Sequence, residues 1–218
     1  MTSNPVTLED GSRIWFDENR KRHRDGDNPA VIDAHGNYYW YQHGQAHRGE
    51  DKPAIIYANG TNIWCFYGKI HRGDDKPAIT ERNGIQQWYQ NGVPHRNNEQ
   101  PAVVTPNGTE KWYLNGKLHR DYDLPAVIKV NDNKAHPGSF TRKWYQDGKL
   151  HRDNDLPAVI EADGTQKWYL HGKLHRDDPE VEYSTISGNK PAIIWPDGKR
   201  DWYQNGSFLF RRYPFSHR

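Results

Sequence analysis

HRDNDLPAVIEADGTQKWYLHGKL, residues 151–174, is followed at His175-Arg176 by the opening of the same phrase. His-Arg pairs open at His23, His47, His71, His95, His119, His151 and His175, at intervals of 24 residues apart from one of 32 between His119 and His151. A fixed period of this size marks a repeat array, in which each unit buries its apolar face against its neighbours. Such a chain copies a surface rather than one catalytic centre.

With the His as position 1, position 2 is Arg. Position 5 is acidic at Asp27, Asp51, Asp75, Glu99, Asp123 and Asp155, and positions 7 and 8 are Pro-Ala. Two mostly β-branched residues follow, then a turn ending in Gly, as in Asn59-Gly60 and Asp163-Gly164. Trp stands four residues after that Gly, and a second Gly turn comes next, as in Asn91-Gly92 and His171-Gly172. Short β-branched and aromatic runs split by Asn-Gly or Asp-Gly read as β-hairpins. Pro suits the first residue of a strand, where its missing N–H does least harm. No segment keeps a 3.6-residue apolar period, so a long helix is not expected.

The expectation is an all-β, elongated, solenoid-like antiparallel meander of about eight hairpin repeats, on the order of 75–80 Å long. A propeller is the weaker alternative, because four strands per blade would require pairing the repeats. Residues 1–22 read as an N-terminal cap hairpin, 23–206 as the repeats and 207–218 as a C-terminal cap or tail. Two insertions break the period, near 131–138 and 178–187. An open sheet leaves edge strands, which favour a homodimer unless the ends are capped.

Composition narrows the function classes. The net charge is +2 with the 12 His neutral, so no strong field draws nucleic acid or anionic membrane. Nine Trp and 13 Tyr supply the core that a hydrophobic content of 33% would otherwise deny. Cys65 is the one cysteine, which excludes an intrachain disulfide and a zinc-finger pattern. MTSNPVTLEDGSR has no basic-then-apolar signal segment, and no apolar run is long enough to span a bilayer. The expected location is the cytoplasm, that of the host if the chain is viral.

The segments TEKWYLNGKLH, 109–119, and TQKWYLHGKLH, 165–175, resemble MORN repeats, and the likeness extends over about residues 8–208. The usual Gly after Tyr is absent, and the G-x-G after the second turn is replaced by H-R-x-x-D-x-P-A. Arrays of this WYxxGKxHRxxxxPA type look like those of large DNA viruses, phages and some bacteria. The resemblance implies an antiparallel meander with one hairpin per repeat. It also implies scaffolding, dimerisation and phospholipid contact as the family's themes.

The recurring residues read first as structure. Trp-Tyr pairs sit mid-strand in this reading, one ring on each face. The His-Arg column, His47-Arg48, His71-Arg72, His95-Arg96, His119-Arg120 and His151-Arg152 among it, reads as packing. In it His lies on Trp and bonds a turn, while Arg pairs with the position-5 acid. Equivalent His residues are roughly 9–10 Å apart at two strands per repeat, too far to share a metal ion. His43/His47 and His171/His175 read as chance pairs. No G-x-S-x-G, H-E-x-x-H, phosphate-binding Gly loop or C-x-x-C occurs. No enzyme, cofactor or metal is therefore expected.

The leading expectation is a non-enzymatic protein-binding scaffold or adaptor; in a virus or phage it would inhibit a host defence factor. Off-period residues supply its specificity: Asp132, His136, Pro137, Glu180, Glu182, Tyr183 and Trp195. The alternative is a polyanion binder for phospholipid or nucleic acid. It would use the Arg rows and the Lys-Trp pairs Lys111-Trp112, Lys143-Trp144 and Lys167-Trp168.

Overall fold

The computed structural model describes residues 4–131, 138–176 and 190–214. The described chain is all-β, and it contains no helix long and apolar enough to cross a membrane. It divides into two compact units, 1–106 and 107–218.

Each unit carries an antiparallel meander. In the first, Val6–Thr7, Arg13–Ile14, Val31–Ile32, Tyr38–Tyr39, Ile55–Ile56, Asn62–Ile63, Ile79–Thr80, Gln86–Gln87 and Val103–Val104 pair each with the next. In the second, the order is Glu110–Lys111, Val127–Val130, Phe140–Lys143, Val159–Ile160, Gln166–Lys167, Ile193–Ile194, Arg200–Gln204 and Ser207–Arg212. The β-branched pairs after Pro-Ala supply every second strand, as their preference for a pleated, half-buried surface requires.

Six repeats hold a second hairpin, which corrects the expectation of one per repeat. Tyr89–Gln90 pairs with Val93–Pro94, and Tyr169–Leu170 pairs with Lys173–Leu174, each outside the meander. From Trp40 to Trp168, Trp is the break between the two hairpins rather than a mid-strand residue, whereas Trp202 lies mid-strand in Arg200–Gln204 as expected. At the break the backbone leaves the first ladder and bridges repeats: Trp144 N–H donates to Ala158 O at 2.8 Å, and Trp168 N–H to Ala192 O at 2.8 Å. The second hairpins are linked through their turns, as when Gly172 N–H donates to Leu150 O at 2.8 Å. That turn places two successive residues at positive φ, His171 at 48° and Gly172 at 90°. This is the type I′ geometry that matches strand twist.

A third turn, at positions 3–6, carries glycine only in the first three units, at Gly26, Gly49 and Gly73. Tyr122 and Asp123 are left-handed at φ 60° and 52°, closed by Leu124 N–H to Asp121 O at 3.2 Å. The same backbone recurs at Glu50-Asp51, Asp74-Asp75 and Asn154-Asp155. Left-handed backbone costs an ordinary residue about 1–2 kcal/mol, and glycine avoids most of that. Tyr122 is exposed, so Tyr122→Gly is expected to raise stability by about 0.5–1 kcal/mol after glycine's own entropy cost. Urea unfolding of the two chains checks it.

The core is a file of Trp and Ala. Trp is the buried ring of the Trp-Tyr pair, at 5–8% exposure in seven copies, while Trp64 is half-buried. Ala30, Ala54, Ala78, Ala102, Ala126, Ala158 and Ala192 are all at 0%. A larger side chain has no room there. Ala158→Val is expected to cost about 1–3 kcal/mol through overpacking, read as a lower urea midpoint. At the C-terminal end Phe210 stacks on Trp202 at 4.6 Å, and Arg211 grips the buried Asp201 at 2.6 and 2.8 Å.

Candidate functional site

The columns that look chemically active are turned on one another. Arg96 lies 3.9 Å over the Trp88 ring. Its Nε and Nη2 donate to Asp75 Oδ1 and Oδ2 at 2.8 and 2.7 Å, and its Nη1 donates to Pro101 O at 3.5 Å. Trp88 Nε1 donates to the Asp75 carbonyl at 3.0 Å, which closes a circuit of three residues. The left-handed backbone of the third turn presents that carbonyl. Arg72, Trp64 and Asp51 make the same circuit, as do Arg152, Trp144 and Asp123, and Arg176, Trp168 and Asp155. The acid gripped is the one in the preceding repeat.

Bidentate hydrogen bonds from Arg hold the carboxyls of Asp51, Asp75, Asp123 and Asp155 below the usual carboxylate range. With a ring under its face and a carboxylate at its edge, each of Arg48, Arg72, Arg96, Arg152 and Arg176 is only 14–16% exposed. The Arg column therefore offers no open basic row.

Not every repeat closes the circuit in full. In the repeat that starts at His23, Gly26 is left-handed and Asp27 is not, and Asn28 Nδ2 closes the turn onto Asp25 O at 3.3 Å. Asp27 still grips Arg48, at 2.6 and 2.9 Å, but Trp40 Nε1 is buried without a partner.

The His column ties the two hairpin rows together. Nδ1 of His23, His47, His71, His119, His151 and His175 accepts from a backbone N–H in the next second turn at 3.2–3.4 Å. The proton then sits on Nε2, which faces Asp25, Asn97, Asp121 and Asp153 from His23, His95, His119 and His151. The rings stack on the turn residue rather than on Trp, at 4.3 Å for His47 on Tyr67 and 4.6 Å for His151 on His171. His43 likewise stacks on His23, so neither His43/His47 nor His171/His175 forms a pair. No group of three metal-ligating side chains converges among the described residues. Burial pushes the Cys65 thiol up to about 11, which keeps it protonated.

Asp132, His136, Pro137, Glu180, Glu182 and Tyr183 lie outside the described residues. Trp195 directly follows the strand Ile193–Ile194, the place that Glu161 takes after Val159–Ile160, and its indole N–H donates to Asp201 Oδ2 at 3.0 Å. Trp195 borders an open groove of about 400 Å³ in the second unit, lined also by Lys129, Thr141, Lys143, Glu161 and Lys167. Adjacent residues of a strand face opposite sides. Lys143 and Lys167 thus face the groove while Trp144 and Trp168 face the Arg stack, and ring and charge do not interleave.

The residues that sequence reasoning missed are Phe66 and Tyr67, 56% and 52% exposed on a second hairpin. Their rings meet edge-on at 4.7 Å, and Tyr67 rests on His47. The equivalent places elsewhere hold Gln42-His43, Gln90-Asn91 and Gln146-Asp147, and that departure was the available signal. In comparisons with protein-family models and with curated proteins, the chain finds no match.

Proposed function

We propose that this chain is a non-enzymatic, protein-binding scaffold of MORN-like repeats, anchored on its partner through Phe66 and Tyr67. The engagement of Arg, Asp, Trp and His with one another carries this reading. Those columns build a constant frame, and the outward positions vary from repeat to repeat. Exposed aromatics that are already held in place lose little entropy on binding, which is why such rings dominate interface energetics. The off-period segments 131–138 and 178–187 add a second source of specificity, and in a viral chain the partner would be a host defence factor.

The test is affinity capture from lysate with mass spectrometry, followed by titration of the partner recovered. The full chain is set beside Phe66→Gln/Tyr67→Asn, which installs residues that other repeats carry, and beside a chain with both insertions cut back to period. A stoichiometric protein whose affinity falls at least tenfold in the double variant supports the reading. Recovery of lipid or nucleic acid alone, stripped by salt, overturns it.

A further inference from the structure

Three lysines, Lys129, Lys143 and Lys167, line the groove of the second unit beside two acids, Glu161 and Asp163, which leaves one positive charge unbalanced. Lys167 Nζ meets Glu161 Oε1 at 2.9 Å, and Glu161 Oε2 accepts from Thr141 Oγ1 at 3.2 Å. No carboxylate is paired with Lys129 or Lys143 among the described residues. The ladder fixes where these lysines stand. Lys129 is opposite Thr141, so Lys143, two residues on, is its diagonal neighbour at about 7–8 Å. Lys143 and Lys167 flank Val159 on successive strands and are about 10 Å apart.

Like charges this close repel, and the repeat does not require them. The places of Lys143 and Lys167 are held by Tyr39, Ile63 and Gln87 in the first unit. Thr165, also lining the groove, is 1% exposed, and its backbone N–H donates to Asp163 Oδ1 at 2.8 Å. Trp195 adds an aromatic wall beside these polar groups. About 400 Å³ is room for one small molecule, not a polymer.

We propose that this groove binds the phosphate group of a small molecule. Lys129 and Lys143 neutralise the dianion, Lys167 adds a third ammonium shared with Glu161, and Thr165 lies in the groove lining beneath them. The ligand's organic part lies against Trp195. This site is separate from the Phe66-Tyr67 anchor and stands or falls independently of it.

Inorganic pyrophosphate and phenyl phosphate are titrated into the full chain and followed by amide chemical shifts in NMR. The wild type is compared with Lys129→Gln/Lys143→Gln and with Lys117→Gln/Lys149→Gln. The second pair removes the same charge from exposed second-hairpin positions. The expected result is saturable binding with Kd on the order of 1 mM or tighter, weakened at least tenfold by the groove variant and unchanged by the control. Tighter binding of phenyl phosphate than of pyrophosphate supports the organic contact with Trp195, and the reverse order overturns that contact. The groove variant should melt no lower than wild type, because it relieves repulsion. If it unfolds, the single Lys129→Gln, at an exposed strand position, is judged by the same tenfold criterion. Equal weakening in both double variants, or no saturation by either probe, overturns the proposal.

Discussion

Trp168→Ala is expected to lower the unfolding free energy by about 3–5 kcal/mol, the range for deleting a large buried ring. The indole is 6% exposed and does three jobs at once. It fills the file beside the Ala residues, it lies 3.9 Å beneath the Arg176 guanidinium, and its Nε1 donates to Asp155 O at 2.9 Å. Alanine leaves a cavity, a guanidinium without a ring under its face, and a carbonyl of left-handed backbone without its donor. Trp168→Phe keeps most of the ring and loses the N–H, so it should cost about 1–3 kcal/mol, the penalty for an unmade buried hydrogen bond. Leu170→Ala, on the outer face of the adjoining hairpin, should cost well under either. Urea denaturation of the four chains orders them. A Trp168→Ala loss no larger than that of Leu170→Ala would mean that the Trp file is not the core.

Periodicity identifies columns and leaves their offsets undetermined, and this is where sequence reading succeeded and where it stopped. Val159–Ile160, the Asp163-Gly164 turn and Gln166–Lys167 were legible because alternation and turn chemistry act locally. Arg152 with an acid was also legible, but Asp155, three residues on, and Asp123, 29 residues back, belong to the same column. Nothing in a repeated phrase distinguishes a contact within one copy from a contact between copies. The turn through Tyr122 and Asp123 was illegible for another reason: no residue in it prefers left-handed backbone strongly enough to announce it. The geometry is demanded from outside, by the Trp144 indole N–H that needs the Asp123 carbonyl.

The candidate sites follow the same logic. Trp195 stands off the period and borders the groove. Attention to what recurs passed over Phe66 and Tyr67, whose interest is that they break the column. The Lys-Trp pairs are visible in the sequence, and so is the reason they do not act as one strip. The two-residue alternation of a strand already places Lys143 and Trp144 on opposite faces.

Acid should unfold this protein steeply, and His47 should begin the loss. Burial lowers the pKa of His47, whose Nδ1 accepts from Tyr67 N–H. The folded state therefore favours the neutral ring, and its contribution, complete above the unfolded value of about 6.5, shrinks as pH falls below that. The larger fall comes later. Asp27, Asp51, Asp75, Asp123 and Asp155 are all depressed by Arg hydrogen bonds. Their contribution is complete above the unfolded carboxylate value of about 3.9 and is lost as pH falls from there through the folded values. Five linked repeats release their clamps over one narrow range, because each Asp also fixes the turn under the next Arg. The urea midpoint should be level from pH 8 to 7, slip between about 6.5 and 5, and drop sharply below about 4. Asp75→Asn should start from a lower midpoint at neutral pH and fall less below pH 4, since it lacks one of the titrating clamps. A midpoint that rose on acidification from pH 7 to 5 would show that His47 gains a partner by charging, which is the opposite of the acceptor role its Nδ1 has here.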